Sequence, residues 1–302
     1  MRRSAFWLAL GLGVAACGWV RRAERPPAPA AADVPLYPGL GTHGRPIKTA
    51  SPEAQRYFNQ GLAFVYAFNH DEAIRSFTRA AELDPKCAMA YWGVAYANGP
   101  HINNSTVPEA NARAAWTALG KAQALAGGAG ETDRALITAL GRRYADPQPE
   151  NRQRLDQAYA DAMRGVWQAH PDDADVGALF AEAMMDLRPW DLWTPEGAPQ
   201  PGTEEILTTL ETVLARAPAH PLALHLYIHA VEASPHPEKA DAAAGARPRL
   251  PTRRPSRPTA PTARGCRRRA STASTWRTTA TCWRTPASCR VRAGARSTRF
   301  AR

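Results

Sequence analysis

The strongest constraint on this 302-residue chain is the paired helical pattern between Ser51 and Pro85. Ser51-Pro52-Glu53-Ala54 supplies a cap residue followed by Pro at the first helical position. Tyr57, Phe58, Leu62, Val65 and Tyr66 then recur at spacings of three and four, the period of one helix face. A second helix starts at Asn69-His70-Asp71, carries Ala73, Ile74, Phe77, Ala80, Ala81 and Leu83 on one face, and stops at Asp84-Pro85. Two short amphipathic helices cannot bury their stripes on each other alone, so the pattern demands further helices stacked alongside.

Seven residues at fixed offsets carry a family resemblance. The segment Ala54 to Pro85 resembles the tetratricopeptide repeat (TPR), a helix-turn-helix unit of about 34 residues. Tyr57, Gly61, Phe64, Ala73, Phe77, Ala80 and Pro85 stand where that unit carries its aromatic, small and terminating residues. Gln60 departs from it, replacing the usual large aliphatic. A second unit opens with Tyr91 in Ala90-Tyr91-Trp92-Gly93, and degenerate units follow through Leu155 to Pro171, Val176 to Met184, Ile206 to Pro218 and Leu224 to Ala240. The expected fold is an all-α, TPR-like helix-turn-helix solenoid of nine or ten helices over residues 51–244, without strands. The resemblance implies a concave groove that takes an extended or helical peptide from an envelope protein.

Charge is distributed unevenly. The net charge of +11 arises from the C-terminal segment, where residues 242–302 hold 16 Arg and no Lys, Asp or Glu. The preceding 241 residues carry a net charge of −5. The tail 245–302 has almost no aliphatic residues and no helical period, and is expected to be disordered. Its Arg, Pro, Ala and Thr are what GC-rich codons give when misread, so it reads as an out-of-frame translation. With plausible codons, shifting Thr275 to Ser288 by one base can yield a helical string with histidines, similar to stretches in longer bacterial repeat proteins. The alternative is a genuine arginine-rich arm for nucleic acid or anionic lipid. Export argues against a nucleic-acid partner.

The export signal lies at the other end. Arg2-Arg3 precede twelve uncharged residues from Ala5 to Ala16. As a helix these span roughly 18 Å, too short for a bilayer core of roughly 30 Å. Val14-Ala15-Ala16-Cys17 resembles the lipobox of bacterial lipoproteins, which implies lipid attachment at Cys17 and cleavage before it. Gly18, which is not Asp, favours the outer membrane by the sorting rules of that family. Residues 1–17 are therefore expected to be a signal peptide, and the Pro/Ala-rich residues 18–50 a disordered, extended tether that leaves the domain facing the periplasm.

Little in the sequence announces chemistry. His225 and His229 lie at i and i+4 on one helix face, where they could hold one divalent metal ion, but the HExxH pattern is absent. The alternative is a structural pair bonded to backbone. His101 and Asn103 sit in the breaker-rich run Gly99 to Asn104, which reads either as a binding loop or as a helix connection. Trp190 and Trp193 are expected to pack on the solenoid. Cys87 stands alone in the folded part and is expected to be buried. The sequence thus favours a non-catalytic interaction scaffold without a required cofactor, with a metal-binding protein or enzyme using His225 and His229 as the alternative.

Overall fold

The computed structural model describes residues 34–245; the expected signal peptide with Cys17, the first part of the expected tether and the Arg-rich tail lie outside them. Ten α-helices follow one another: α1 (Pro52–Tyr66), α2 (His70–Leu83), α3 (Ala88–Ala97), α4 (Glu109–Leu125), α5 (Glu131–Leu140), α6 (Gln153–Ala169), α7 (Ala174–Met185), α8 (Thr203–Arg216), α9 (Pro221–Val231) and α10 (Lys239–Gly245). Among the described residues no strand forms; only the bridge pairs His101–Asn104 and Trp193–Pro199 occur. No described helix is long and apolar enough to cross a membrane.

Each helix packs on the next in sequence, and α1–α3, α3–α5 and α7–α9 meet as second neighbours. Composition assigns the layers. The inner helix α3 has no charged residue, and every residue of α7 from Asp175 to Met185 is buried. Helices α2, α6 and α8 carry one apolar stripe and a solvated face, as outer helices do. Phe77 of α2 is the knob of the first junction. A Cβ at Gly61 of α1 would lie 2.5 Å from its ring, and one at Gly93 of α3 would lie 2.4 Å away. The two glycines let both inner helices close on one aromatic ring. Cys87 is buried at the N-terminus of α3.

The tether expected over 18–50 does not extend to its full length. Residues 34–50 form no regular element, yet Val34 and Arg45 are buried. Proline denies this stretch a hydrogen-bond ladder, and α1 supplies side-chain partners instead. The Tyr57 hydroxyl donates to Val34 O at 2.8 Å, and Gln55 Nε2 donates to Arg45 O at 2.8 Å. Gln60 Oε1 accepts from Tyr37 N at 2.8 Å, while its Nε2 donates to Pro35 O at 3.0 Å. That pairing accounts for the burial of Gln60.

One further contact departs from nearest-neighbour stacking: α1 also meets α9. The inner face is thereby bridged from its first helix to its ninth.

Truncating the shared knob tests the first junction. Phe77→Ala should cost about 3–5 kcal/mol, and Gly61→Ala about 1–3 kcal/mol by overpacking, both read by chemical denaturation followed by circular dichroism. Stabilities within 0.5 kcal/mol of wild type, roughly the range of inert surface changes, would contradict the packing.

Candidate functional site

Two polar clusters occupy the bridged inner face, and Tyr66 at the end of α1 belongs to both. The first centres on Asp175 in the first turn of α7. Its Oδ1 accepts from the Tyr66 hydroxyl at 2.8 Å, and lies 3.0 Å from Nε2 of both His43 and His220. Arg45 Nη1 lies 3.5 Å from its Oδ2 and 2.7 Å from Asp173, and Arg45 Nη2 lies 3.0 Å from Asp133. Burial alone would raise the Asp175 carboxyl; hydrogen bonds from His220 and His43 outweigh it and hold the group well below the usual carboxylate range.

His43, Asp175 and His220 offer one donor atom each, all within 4.8 Å of one another. Two imidazoles and a carboxylate are a familiar set for divalent iron. His220 is the N-cap of α9, and its Nδ1 accepts from Ala223 N at 3.2 Å. In neutral His220 the proton is therefore on Nε2, which donates to Asp175. A metal on Nε2 would require a proton on Nδ1, facing another N–H. Arg45 adds a positive charge beside the carboxylate. The donor set does not fit a resident cation. It fits a hydrogen-bonded clasp joining the 34–50 segment, α1, α5, α7 and α9.

The second cluster is a row of rings drawn from five segments of the chain. His70 of α2 stacks on His101 of the α3–α4 loop, with centroids 4.0 Å apart and planes 13° from parallel. Phe68, between α1 and α2, lies edge-on to His101 at 5.5 Å and to His225 at 4.7 Å. His225 and His229 follow at 5.0 Å on α9, and Trp190 of the α7–α8 loop meets His229 at 5.0 Å. His225 Nδ1 lies 2.9 Å from Tyr66 O, and His229 Nδ1 lies 2.8 Å from Glu232 Oε1.

Backbone strain concentrates in this row. Among the described residues, the non-glycine positions with positive φ are Phe68 (59°) and Trp190 (63°), where a bulky side chain is an outlier. Phe68 occupies the left-handed position after α1: its N–H donates to Val65 O at 3.0 Å and the next, Asn69 N–H, to Phe64 O at 2.9 Å. That is the helix-ending Schellman motif, whose left-handed residue is usually Gly. Left-handed backbone costs an L-residue roughly 1–2 kcal/mol, and here it aims an aromatic ring between two histidines. Trp190 is 59% exposed, which corrects the expectation that it packs on the helices. Trp193 does pack there, its Nε1 donating to Ala230 O at 2.8 Å.

The loop bearing His101 is held from below. Arg143, 1% exposed, donates from Nη2 to Pro100 O at 2.9 Å and forms an ion pair with Asp186. Its guanidinium lies 4.6 Å from the Tyr159 ring centroid. Burial and the neighbouring Glu182 raise the Asp186 carboxyl, while burial, His70 and Arg143 lower His101 to about 4. His70 is lowered by burial as well. Asn103 is exposed at the tip of the turn closed by His101 and Asn104.

A third feature lies on the other side of the inner layer. Tyr91, Val94, Ala110, Ala114 and Ala118 line an open apolar groove of about 550 Å³ between α2, α3 and α4, with Lys121 at its rim.

Of the residues singled out in the sequence, His101, His225 and His229 come together in the ring row, with His225 and His101 on either side of Phe68. Phe68 and the clasp residues His43, Tyr66 and Asp175 were not legible as site residues. The only local signal at Phe68 is that a bulky residue, and not Gly or Asn, stands two positions after the last residue of α1. The protein-family models searched contain no match to this chain, and no curated protein matches it.

His101 makes the row sensitive to acid. Its proton affinity is lower folded (about 4) than unfolded (about 6.5), so the unfolded chain takes up the proton first. Neutral His101 therefore supports the fold above about pH 6.5, and the support is lost as pH falls toward about 4. The stability difference between wild type and His101→Gln should shrink over that interval, measured by urea denaturation at stepped pH. A difference constant between pH 7 and 4 would contradict this assignment.

Proposed function

We propose that this chain is an exported, lipid-anchored helical-repeat scaffold of the TPR type, holding a partner protein at the bacterial envelope rather than performing catalysis. The repeat assignment rests on residues: Phe77 seated against Gly61 and Gly93 is the packing that an aromatic and small-residue pattern at fixed offsets serves. Paired helices that each cover the next give the rigid support on which such proteins display a binding surface.

The observation that carries the scaffold reading is the open groove between α2, α3 and α4. Ala110, Ala114 and Ala118 follow at intervals of four on α4, opposite Tyr91 and Val94. Small side chains on one wall and larger apolar ones on the other leave space for the apolar face of an amphipathic helix. Lys121, whose Nζ lies 5.2 Å from the Tyr91 ring centroid, sets a positive charge at the rim and favours an acidic partner. The bridged inner face, in contrast, is crossed by the clasp and the ring row, so the outer groove replaces the concave face as the partner site.

The anchor proposed is a diacylglyceryl thioether at Cys17, on the outer membrane facing the periplasm. Cys17→Ala should shift the protein from the membrane to the soluble fraction and abolish incorporation of labelled palmitate. Retention at the membrane with wild-type labelling would end the lipoprotein reading.

Filling the groove tests the scaffold. Ala114→Trp should reduce cross-linking of an envelope partner to a photoreactive side chain at Thr117 at least about tenfold, the cost of about 1.4 kcal/mol, with the far-ultraviolet circular dichroism unchanged. A partner captured equally well by the filled groove would overturn this reading.

A further inference from the structure

We propose that α1 and three inner carboxylates form a recognition site for an extended, arginine-bearing peptide, and that residues 34–47 are an exchangeable strap filling that site in cis. The site is separate from the groove between α2, α3 and α4 and does not depend on the scaffold reading.

Two glutamines carry the inference. Gln60 donates from Nε2 to Pro35 O at 3.0 Å and accepts at Oε1 from Tyr37 N at 2.8 Å. Gln55 donates from Nε2 to Arg45 O at 2.8 Å and accepts at Oε1 from Ile47 N at 3.0 Å. Each amide therefore reads the same unit: the C=O of one residue and the N–H of the residue two positions on. A side-chain amide offers both a donor and an acceptor, and this pairing fixes which end is the oxygen. Where proteins take up extended peptides, main-chain bonds of this kind supply affinity and side-chain pockets supply specificity.

The pocket here belongs to Arg45. Its Nη1 lies 2.7 Å from Asp173 and 3.5 Å from Asp175, and its Nη2 lies 3.0 Å from Asp133. A planar fork of donors can reach carboxylates on several sides, as the point charge of Lys cannot. Three carboxylates face one guanidinium, an excess of negative charge that selects a cationic side chain. The flanking residues narrow the choice. A Cβ at Gly44 would lie 2.6 Å from Asn59 Nδ2, and Asn59 is itself held through Oδ1 by Gln55 Nε2 at 2.8 Å. Pro46, which has no N–H to satisfy, stands between the two groups that Gln55 reads. The segment recognised is thus an extended Gly-Arg-Pro.

The hold on the strap is polar and peripheral. Of residues 34–47 only Val34 and Arg45 are buried, while Tyr37 and Leu40 are 41% and 38% exposed. A segment with so few buried apolar contacts opens at lower free energy than the helices beneath it. Attachment to α1 keeps it closed, because a short connection gives an effective concentration on the order of millimolar. The same segment on a second copy of this chain and a similar segment on another protein present identical chemistry to the site.

Hydrogen exchange on the full chain tests the strap, with a capped peptide of residues 34–47 as the probe. The Tyr37 and Ile47 amides should exchange faster than the interior of α1 and more slowly than in the free peptide. Peptide added at a concentration matching the effective one, on the order of millimolar, should displace about half of the straps and speed exchange at both amides, with α2 and α3 unchanged. The peptide carrying Arg45→Ala should have no effect. In the chain, Arg45→Ala weakens only the strap, so labelled wild-type peptide should bind at least about tenfold more tightly, the worth of a charged hydrogen bond, read by fluorescence anisotropy. Sedimentation then separates the sources. A concentration-dependent dimer dissolved by the peptide supports a second copy as the natural donor, and a monomer that binds the peptide supports another protein.

Exchange at Tyr37 and Ile47 as slow as inside α1 and unmoved by peptide would overturn the proposal, making the strap a fixed part of the fold. Exchange as fast as in the free peptide, or equal displacement by the Arg45→Ala peptide, would overturn it too. If Arg45→Ala unfolds the chain by leaving its carboxylates unpaired, the wild-type exchange measurements still decide.

Discussion

Tyr66 is the hinge on which the inner architecture turns. Its hydroxyl donates to Asp175 at 2.8 Å and its carbonyl accepts from His225 at 2.9 Å, so one residue at the end of α1 ties together α7 and α9. Nearest-neighbour stacking alone would leave α1 and α9 apart. The tie works because the groups it buries are matched: Asp175 is a fully served acceptor, Arg45 spans three carboxylates, and His220 uses one nitrogen for the carboxylate and the other for the α9 cap. Removing one member of such a set leaves a buried charge uncompensated, which is more costly than the intact set is stabilising.

That closure separates two kinds of surface. The inner helices are apolar and satisfied by one another, so their few polar side chains must find partners across the interior, and they do so in the clasp and around Arg143. The outer helices keep solvated faces. Between α2, α3 and α4 the small residues of one helix fail to fill the space left by the larger residues of its neighbour, and a groove remains. The layout thus places a rigid histidine row at the bridged face and an apolar recess on the other side of the inner layer.

The strain at Phe68 and Trp190 connects local backbone to site geometry. A glycine would end α1 at lower cost, but it could not place a ring between His101 and His225. The same logic holds in the α7–α8 loop, where Trp193 is hydrogen-bonded to α9 and Trp190 is left exposed beside His229. The chain carries unfavourable φ angles at the points where aromatic rings meet the histidines.

The sequence by itself determined the helices. Caps, prolines and three-four spacing mark α1 and α2, and apolar spacing marks α6 and α8, because those signals are local. Phe77, Gly61 and Pro85 were legible for the same reason, as was the i, i+4 placement of His225 and His229. Only the tertiary structure decided what these residues meet. Residues 34–50 read as a tether because proline excludes regular structure, and nothing local reveals that Gln55, Tyr57 and Gln60 receive that stretch. The clasp draws on His43, Tyr66, Asp175 and His220, which stand up to 177 positions apart, a separation at which no periodic pattern survives. Even the assignment of the histidines required coordinates, since ring tautomers are set by whichever acceptor or donor the fold brings to the second nitrogen.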